Sequence, residues 1–210
     1  MEKSDLTHKN FCERLSTLPL AKPFLGREYL TWLWFISESQ GKGLSLGEGN
    51  SGKPWSVDVW VDDRILLQSW DQRGHENLLR GGDPSHSQEA AASLSSGKVV
   101  RELKLGLHVH GVGDYTCTLK ADTLTPSGLR LPTENGDNAG DSEEMEEIGA
   151  EAWLSARLLY CDIFLEIHDA LFAWFIHERS QPDWESKGLS KMKQWITDRQ
   201  KQIPQTKLLH

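Results

Sequence analysis

Paired cysteines, long apolar runs and phosphate-binding glycine loops are all missing from this 210-residue sequence. Cys12, Cys117 and Cys161 stand far apart, with no CxxC pair. An odd, dispersed set of thiols excludes a disulfide framework and a two-pair zinc site, and it fits the reducing cytoplasm. Residues 1–10 are polar and mixed in charge, without the apolar core of a secretory signal. No window approaches the roughly 18–20 apolar residues of a membrane span. The most apolar stretch, 158–176, is interrupted by Asp162, Glu166, His168 and Asp169 at helical spacing and reads as a buried helix. Residues 47–52 are glycine-rich but lead into no helix bearing Lys-Ser/Thr, and neither a dinucleotide fingerprint nor a nucleophile elbow is present. The expectation is therefore a binding protein rather than an enzyme, with no catalytic residues, cofactor or metal.

What the chain does have is tryptophan and segregated charge. Nine Trp residues exclude a disordered chain. A buried indole needs an acceptor for its N–H, and tryptophan is enriched at interfaces. Trp32, Trp34 and Trp174 are accordingly the candidates for a partner-binding aromatic face. The formal net charge is −8. Glu134, Asp137, Asp141, Glu143, Glu144, Glu146, Glu147 and Glu151 fall together with no Lys or Arg among them, so this one segment accounts for the whole excess. The C-terminal residues from 183 onward are net basic, with Lys187, Lys191, Lys193, Arg199, Lys201 and Lys207. Bulk charge is thus a poor guide to partners.

The periodicities predict an α+β fold, an antiparallel sheet (hairpin plus meander) packed by long α-helices. A short helix is expected over 8–18, and a strong one over 27–39 with Tyr29, Leu30, Leu33, Trp34 and Ile36 on one face. Alternation predicts strands over 55–61 and 64–70, with Asp62-Asp63 as the turn between them. Asp83-Pro84 opens a helix ending at Gly97. A meander follows over 98–110 and 115–121, and Thr125-Pro126-Ser127-Gly128 turns the chain into 129–131. The expected organisation is a helix-plus-sheet region over 1–131, an acidic linker over 132–145 and a helical region over 146–210, together forming one compact unit. That last region reads as one helix over 146–179 and a basic one over 184–203 with a weak point at Gly188.

The run Leu25-Gly26-Arg27-Glu28-Tyr29-Leu30-Thr31-Trp32-Leu33-Trp34 resembles a stretch of the RdgC-like family of recombination-associated proteins. A helix ending in Gly97-Lys98-Val99-Val100, the strand residues Leu119-Lys120-Ala121, the run Gly128-Leu129-Arg130-Leu131-Pro132, and the long 158–179 helix followed by Trp184 agree with it. The resemblance extends over roughly residues 24–200, in patches, and is to the second half of such proteins alone. It implies a cytoplasmic or nucleoid-associated protein that binds DNA, duplex included, with little sequence preference. It also implies an oligomer, either of this chain or with a protein supplying the family's amino-terminal half.

For DNA binding the candidate phosphate contacts are Lys98, Arg101, Lys104, Lys120 and Arg130. Simple alternation puts Lys98 and Lys104 on one face of their strand and Arg101 on the other. The competing expectation is a scaffold subunit that binds a partner chain through its Trp-rich helices. Three lesser readings are weighed against ordinary surface. Glu102-Leu103-Lys104 has the acid-x-Lys spacing of Mg²⁺-dependent nucleases, with Asp58 as the second acid. His108 and His110, with Asp114 and Cys117 across the turn, are a zinc candidate. The acidic stretch 141–147 invites comparison with the phosphates of DNA, although such runs are usually solvated linkers.

Overall fold

The computed structural model describes residues 24–49, 52–69, 76–132 and 150–202. The helix expected over 8–18, and all of the acidic linker beyond Pro132, lie outside the described residues.

Helix α1 (Phe24–Ser39) is followed by strand β1 (Leu44–Leu46) and the long strand β2 (Trp55–Ser69). Strand β3 (Asn77–Arg80), a 3-10 turn (Pro84–His86) and helix α2 (Gln88–Ser95) lead into the meander β4 (Lys98–Val109), β5 (Gly113–Lys120) and β6 (Pro126–Arg130). Helix α3 (Ala150–Arg179), a π-helical turn (Trp184–Gly188) and α4 (Leu189–Gln202) complete the order. The sheet is antiparallel in every pairing and runs β1-β2-β4-β5-β6, with β3 alongside the second half of β2. The expected α+β architecture is what is found.

Several local expectations are corrected. Asp62-Asp63 is a bulge and not a turn. Val61 pairs with Leu105 and Ile65 with Leu103, so three residues of β2 oppose Lys104 alone and the two expected strands are one. The bulge spares the alternation, because Val57, Val59, Ile65 and Leu67 all remain buried. Strands β1 and β3 escape a pattern search because, at three and four residues, they carry almost no period of their own. Asp83 caps the 3-10 turn through its side chain, and Ser87 separately caps α2 by accepting from the Ala90 amide, so the expected single helix is two elements. Pairing of β6 begins at Pro126, and the reversal falls earlier, where Leu124 takes a φ of 54°.

A second bulge changes the expected charge pattern. Leu66 pairs with Glu102 and Leu67 with Val100, leaving Arg101 as an extra residue in β4. Val100 and Leu103, three apart, are both fully buried. Lys98 therefore shares the helix-side face with Val100, whereas Lys104 points to the other. Lys98 Nζ donates to Asn77 Oδ1 at 2.8 Å, and Asn77 in turn donates to Ser93 of α2 at 2.7 Å. The expectation that Lys98 and Lys104 share a face is overturned by this one inserted residue.

The helices cover one face of the sheet. Tyr29, Trp32, Phe175 and Phe164 are buried there against Tyr115, Leu103, Leu105 and Leu107. Trp32 meets Trp174 edge-on at 5.0 Å and Phe175 at 5.4 Å. Glutamates take up the N–H groups of five indoles. Glu178 accepts from Trp32 and Trp174, Glu28 from Trp184, and Glu38 from Trp34 and Trp195. Trp32 and Trp34 have no exposed surface, and Trp174 is partly buried with its N–H engaged. The expected partner-binding face on Trp32, Trp34 and Trp174 is thus the joint between α1, α3 and α4, because the same rings are needed to fill the space between the helices.

Glu166 of α3 ties the glycine-rich loop to the helix layer. It accepts from the Glu48 and Gly49 amides at 2.7 and 2.9 Å and from Trp55 Nε1 at 3.2 Å. The Gly49 amide, with Trp55 and the Glu48 amide, holds this carboxyl below the usual range. A depressed folded-state pKa contributes stability that is present above the unfolded pKa and lost as pH falls through the folded one. Glu166→Ala is expected to cost about 1–3 kcal/mol at neutral pH. The gap to the wild type should close in acid, as checked by urea unfolding at the two pH values.

Candidate nucleic-acid interface on the open sheet face

No described helix covers the second face of the sheet, and its rows follow from the register. Asp58, His108 and Asp114 form one row. Trp60, Gly106, Thr116 and Arg130 form the next. Beyond them lie Lys104 with Thr118 and Ser127, then Leu66, Glu102 and Lys120.

Trp60 is the centre of this face. Its indole lies across Gly106, where an added Cβ would sit 2.2 Å from the ring's Cε2. The residue is 37% exposed, one of the few large apolar side chains that are. Glycine weakens a strand interior, and its presence at 106 is accounted for by the ring that uses the space.

Charges surround the ring. On one side His108 Nδ1 is 2.6 Å from Asp114 Oδ1, and His110 Nε2 is 3.3 Å from Asp58 Oδ1. Asp58 also accepts from the Gly43 amide at 2.7 Å, and that bond, with His110, holds its carboxyl below the usual range. On the other side is a shallow concavity of about 680 Å³ lined by Asp63, Arg64, Arg80, Gly81, Gly82, Lys104 and Thr118. Lys104 contacts Asp62 and Asp63, each at 3.0 Å, with Asp62 the main cause of its raised pKa. Arg64 pairs with Glu102 at 2.9 Å. Arg80, Lys120 and Arg130 are exposed and form no ion pair among the described residues.

Of the five candidate phosphate contacts, the structure places Lys104, Lys120 and Arg130 on this face. Lys98 is on the helix side, and Arg101 sits in its bulge bound to Glu76. Arg64 and Arg80 complete the cationic set, although strand alternation alone did not single them out. Trp60 is not among the residues that the sequence singles out; the signal that could have found it is its place with Ser56 and Asp58 on the polar side of the 55–61 alternation.

The nuclease arrangement is not formed. Asp58 pairs with His108, six residues along β4 from Glu102, which is about 20 Å at strand spacing. The zinc candidate fails on parity, since Asp114 faces outward while Cys117 is buried on the helix side, its thiol pushed up to about 12 by that burial. Among the described residues no group of three or more His, Cys, Asp or Glu is arranged to hold a metal ion, and no helix is long and apolar enough to cross a membrane. No family model matches the chain, and no curated protein matches it.

Proposed function

We propose that this chain is a DNA-binding accessory protein without sequence preference, that it engages DNA through the open sheet face, and that it favours single strands. The observation that carries the reading is Trp60, its ring over Gly106 and partly accessible, in the same row as Arg130 two strands beyond Gly106 and next to the row of Lys104 in the Arg64–Arg80–Lys104 concavity. An aromatic platform flanked by cations is how sequence-tolerant single-strand binders work, because every base has a π-face to stack. In duplex DNA that face is already occupied by neighbouring bases. The recombination setting rests on the RdgC-like resemblance alone.

The acids of this face restrain the electrostatic contribution. Asp62 and Asp63 hold Lys104, and Glu102 holds Arg64, so phosphate neutralisation falls to Arg80, Lys120 and Arg130. Each phosphate contact contributes about −0.7 to the log–log salt slope for single strands, so three give a slope of about −2. Fluorescence anisotropy with labelled single-stranded and duplex oligonucleotides across a salt series tests this. The reading predicts tighter single-strand binding with that shallow slope. No binding to either form at low salt would sink it.

A further inference from the structure

Partner binding, displaced from the tryptophans, finds another surface. Six large apolar side chains are exposed among the described residues, and four of them, Leu154, Leu158, Leu159 and Leu165, lie in the first part of α3. This helix has 30 residues, about 45 Å of length. Its buried residues begin at Ile163. The sheet and α1 therefore account for α3 from Ile163 onward and leave residues 150–162 without a buried position.

The exposed residues are ordered. Leu154, Leu158, Cys161 and Leu165 follow at spacings of four, three and four, the a/d repeat of a heptad. The three leucines are 52%, 58% and 49% exposed, and Cys161 is half-buried. They lie on one stripe, turned away from the Ile163, Ile167 and Leu171 face that meets the core. Leu159 falls outside the stripe and is not assigned to it.

The charges beside the stripe select its occupant. Arg157 takes the g position before Leu158, and Asp162 the e position after Cys161. In a parallel pair of identical helices, each g residue faces the e residue five positions on in the other chain, so Arg157 meets Asp162 of the second copy. In an antiparallel pair g faces g and e faces e, setting Arg157 against Arg157 and Asp162 against Asp162. The Arg157 guanidinium lies 5.5 Å from the Trp153 ring centroid, which keeps its charge on that flank. A different protein would need a complementary sequence, whereas a second copy of this chain already supplies one.

We infer that residues 154–165 of α3 form a parallel seam with a second copy of the chain. The seam is about 16 Å long, roughly three helical turns, too short to bury the roughly 800 Å² per partner of a standard interface, so the dimer is weak. This inference stands independently of the nucleic-acid reading.

Sedimentation velocity on the full chain across a concentration series tests it. The weight-average mass should rise toward twice that of one chain, and Leu158→Glu or Leu154→Glu should hold it at one. Both positions are exposed, so circular dichroism should be unchanged. The orientation is read from Cys161, because a parallel seam brings two d-position Cα atoms near the roughly 4.4–6.8 Å of a disulfide. In a Cys12→Ser background, with Cys117 buried, mild oxidation should yield a covalent dimer that Cys161→Ser abolishes. A chain monomeric at every concentration, or a dimer indifferent to Leu158→Glu, would overturn the seam. A dimer that Leu158→Glu dissolves but that never cross-links through Cys161 would overturn its parallel arrangement.

Discussion

Replacing Glu38 by alanine is expected to destabilise the protein by about 3–5 kcal/mol, the range for removing one partner of a buried ion pair. Glu38 lies in the last turn of α1 and is the acceptor on which α4 docks. Its carboxylate receives Trp34 Nε1 at 2.7 Å and Trp195 Nε1 at 2.9 Å, and it pairs with Arg199. The Arg199 side chain is 9% exposed and lies over both indoles, 5.2 Å from Trp34 and 5.3 Å from Trp195. Without Glu38 a guanidinium and two indole N–H groups lose their acceptor in a place that water reaches poorly. The companion variant Glu38→Ala/Arg199→Met removes both charges and should recover part of the loss, since buried pairs replaced by apolar groups are often nearly neutral. Urea denaturation decides between these outcomes. A loss below about 1 kcal/mol would mean that α4 is held by its apolar contacts alone.

Gly26→Ala should be nearly as damaging, by about 3 kcal/mol, although glycine to alanine in a helix ordinarily stabilises by about 1 kcal/mol. The difference in sign comes from packing. A Cβ on Gly26 would stand 1.8 Å from the carbonyl oxygen of Ala121, just past the end of β5. Both partners are backbone, so no rotamer change relieves the overlap, and α1 must lift from the sheet on which Tyr29 and Trp32 are seated. Gly82→Ala is the control. Nothing lies within 4 Å of a Cβ there, and thermal unfolding should shift little. Equal effects of the two substitutions would contradict the close approach of α1 to β5.

The sequence was informative where a period runs long and unbroken. Helix α1, the meander and α3 declare themselves through Tyr29–Leu33–Ile36, through Leu103–Leu105–Leu107 and through Ile163–Ile167–Leu171, each burying one face. Insertions were not legible. Nothing in Asp62-Asp63 distinguishes a bulge from a turn, because both suit short polar residues that leave the ladder. Arg101 likewise looks like any strand residue, yet it reverses which side Lys98 occupies. Tryptophan number was informative without location. Where an indole lies depends on tertiary partners, since Trp32 reaches Glu178, Trp184 reaches Glu28 and Trp195 reaches Glu38 across 146, 156 and 157 residues. Of the candidate site, Lys104, Lys120 and Arg130 were legible from alternation within the meander. Arg64 and Arg80 join them because β3 pairs with β2, a contact that a strand of four residues could not announce.

The most direct test of the open sheet face as the DNA-binding surface is the affinity of Trp60→Ala for a labelled single-stranded oligonucleotide, measured beside the wild type at one salt concentration. Base stacking on an aromatic platform contributes about 1–3 kcal/mol, so the variant should bind about 5- to 150-fold more weakly. Its thermal stability should be nearly unchanged, because the ring lies on the sheet surface and fills no core space. Affinity equal to the wild type, with the fold intact, would contradict the account.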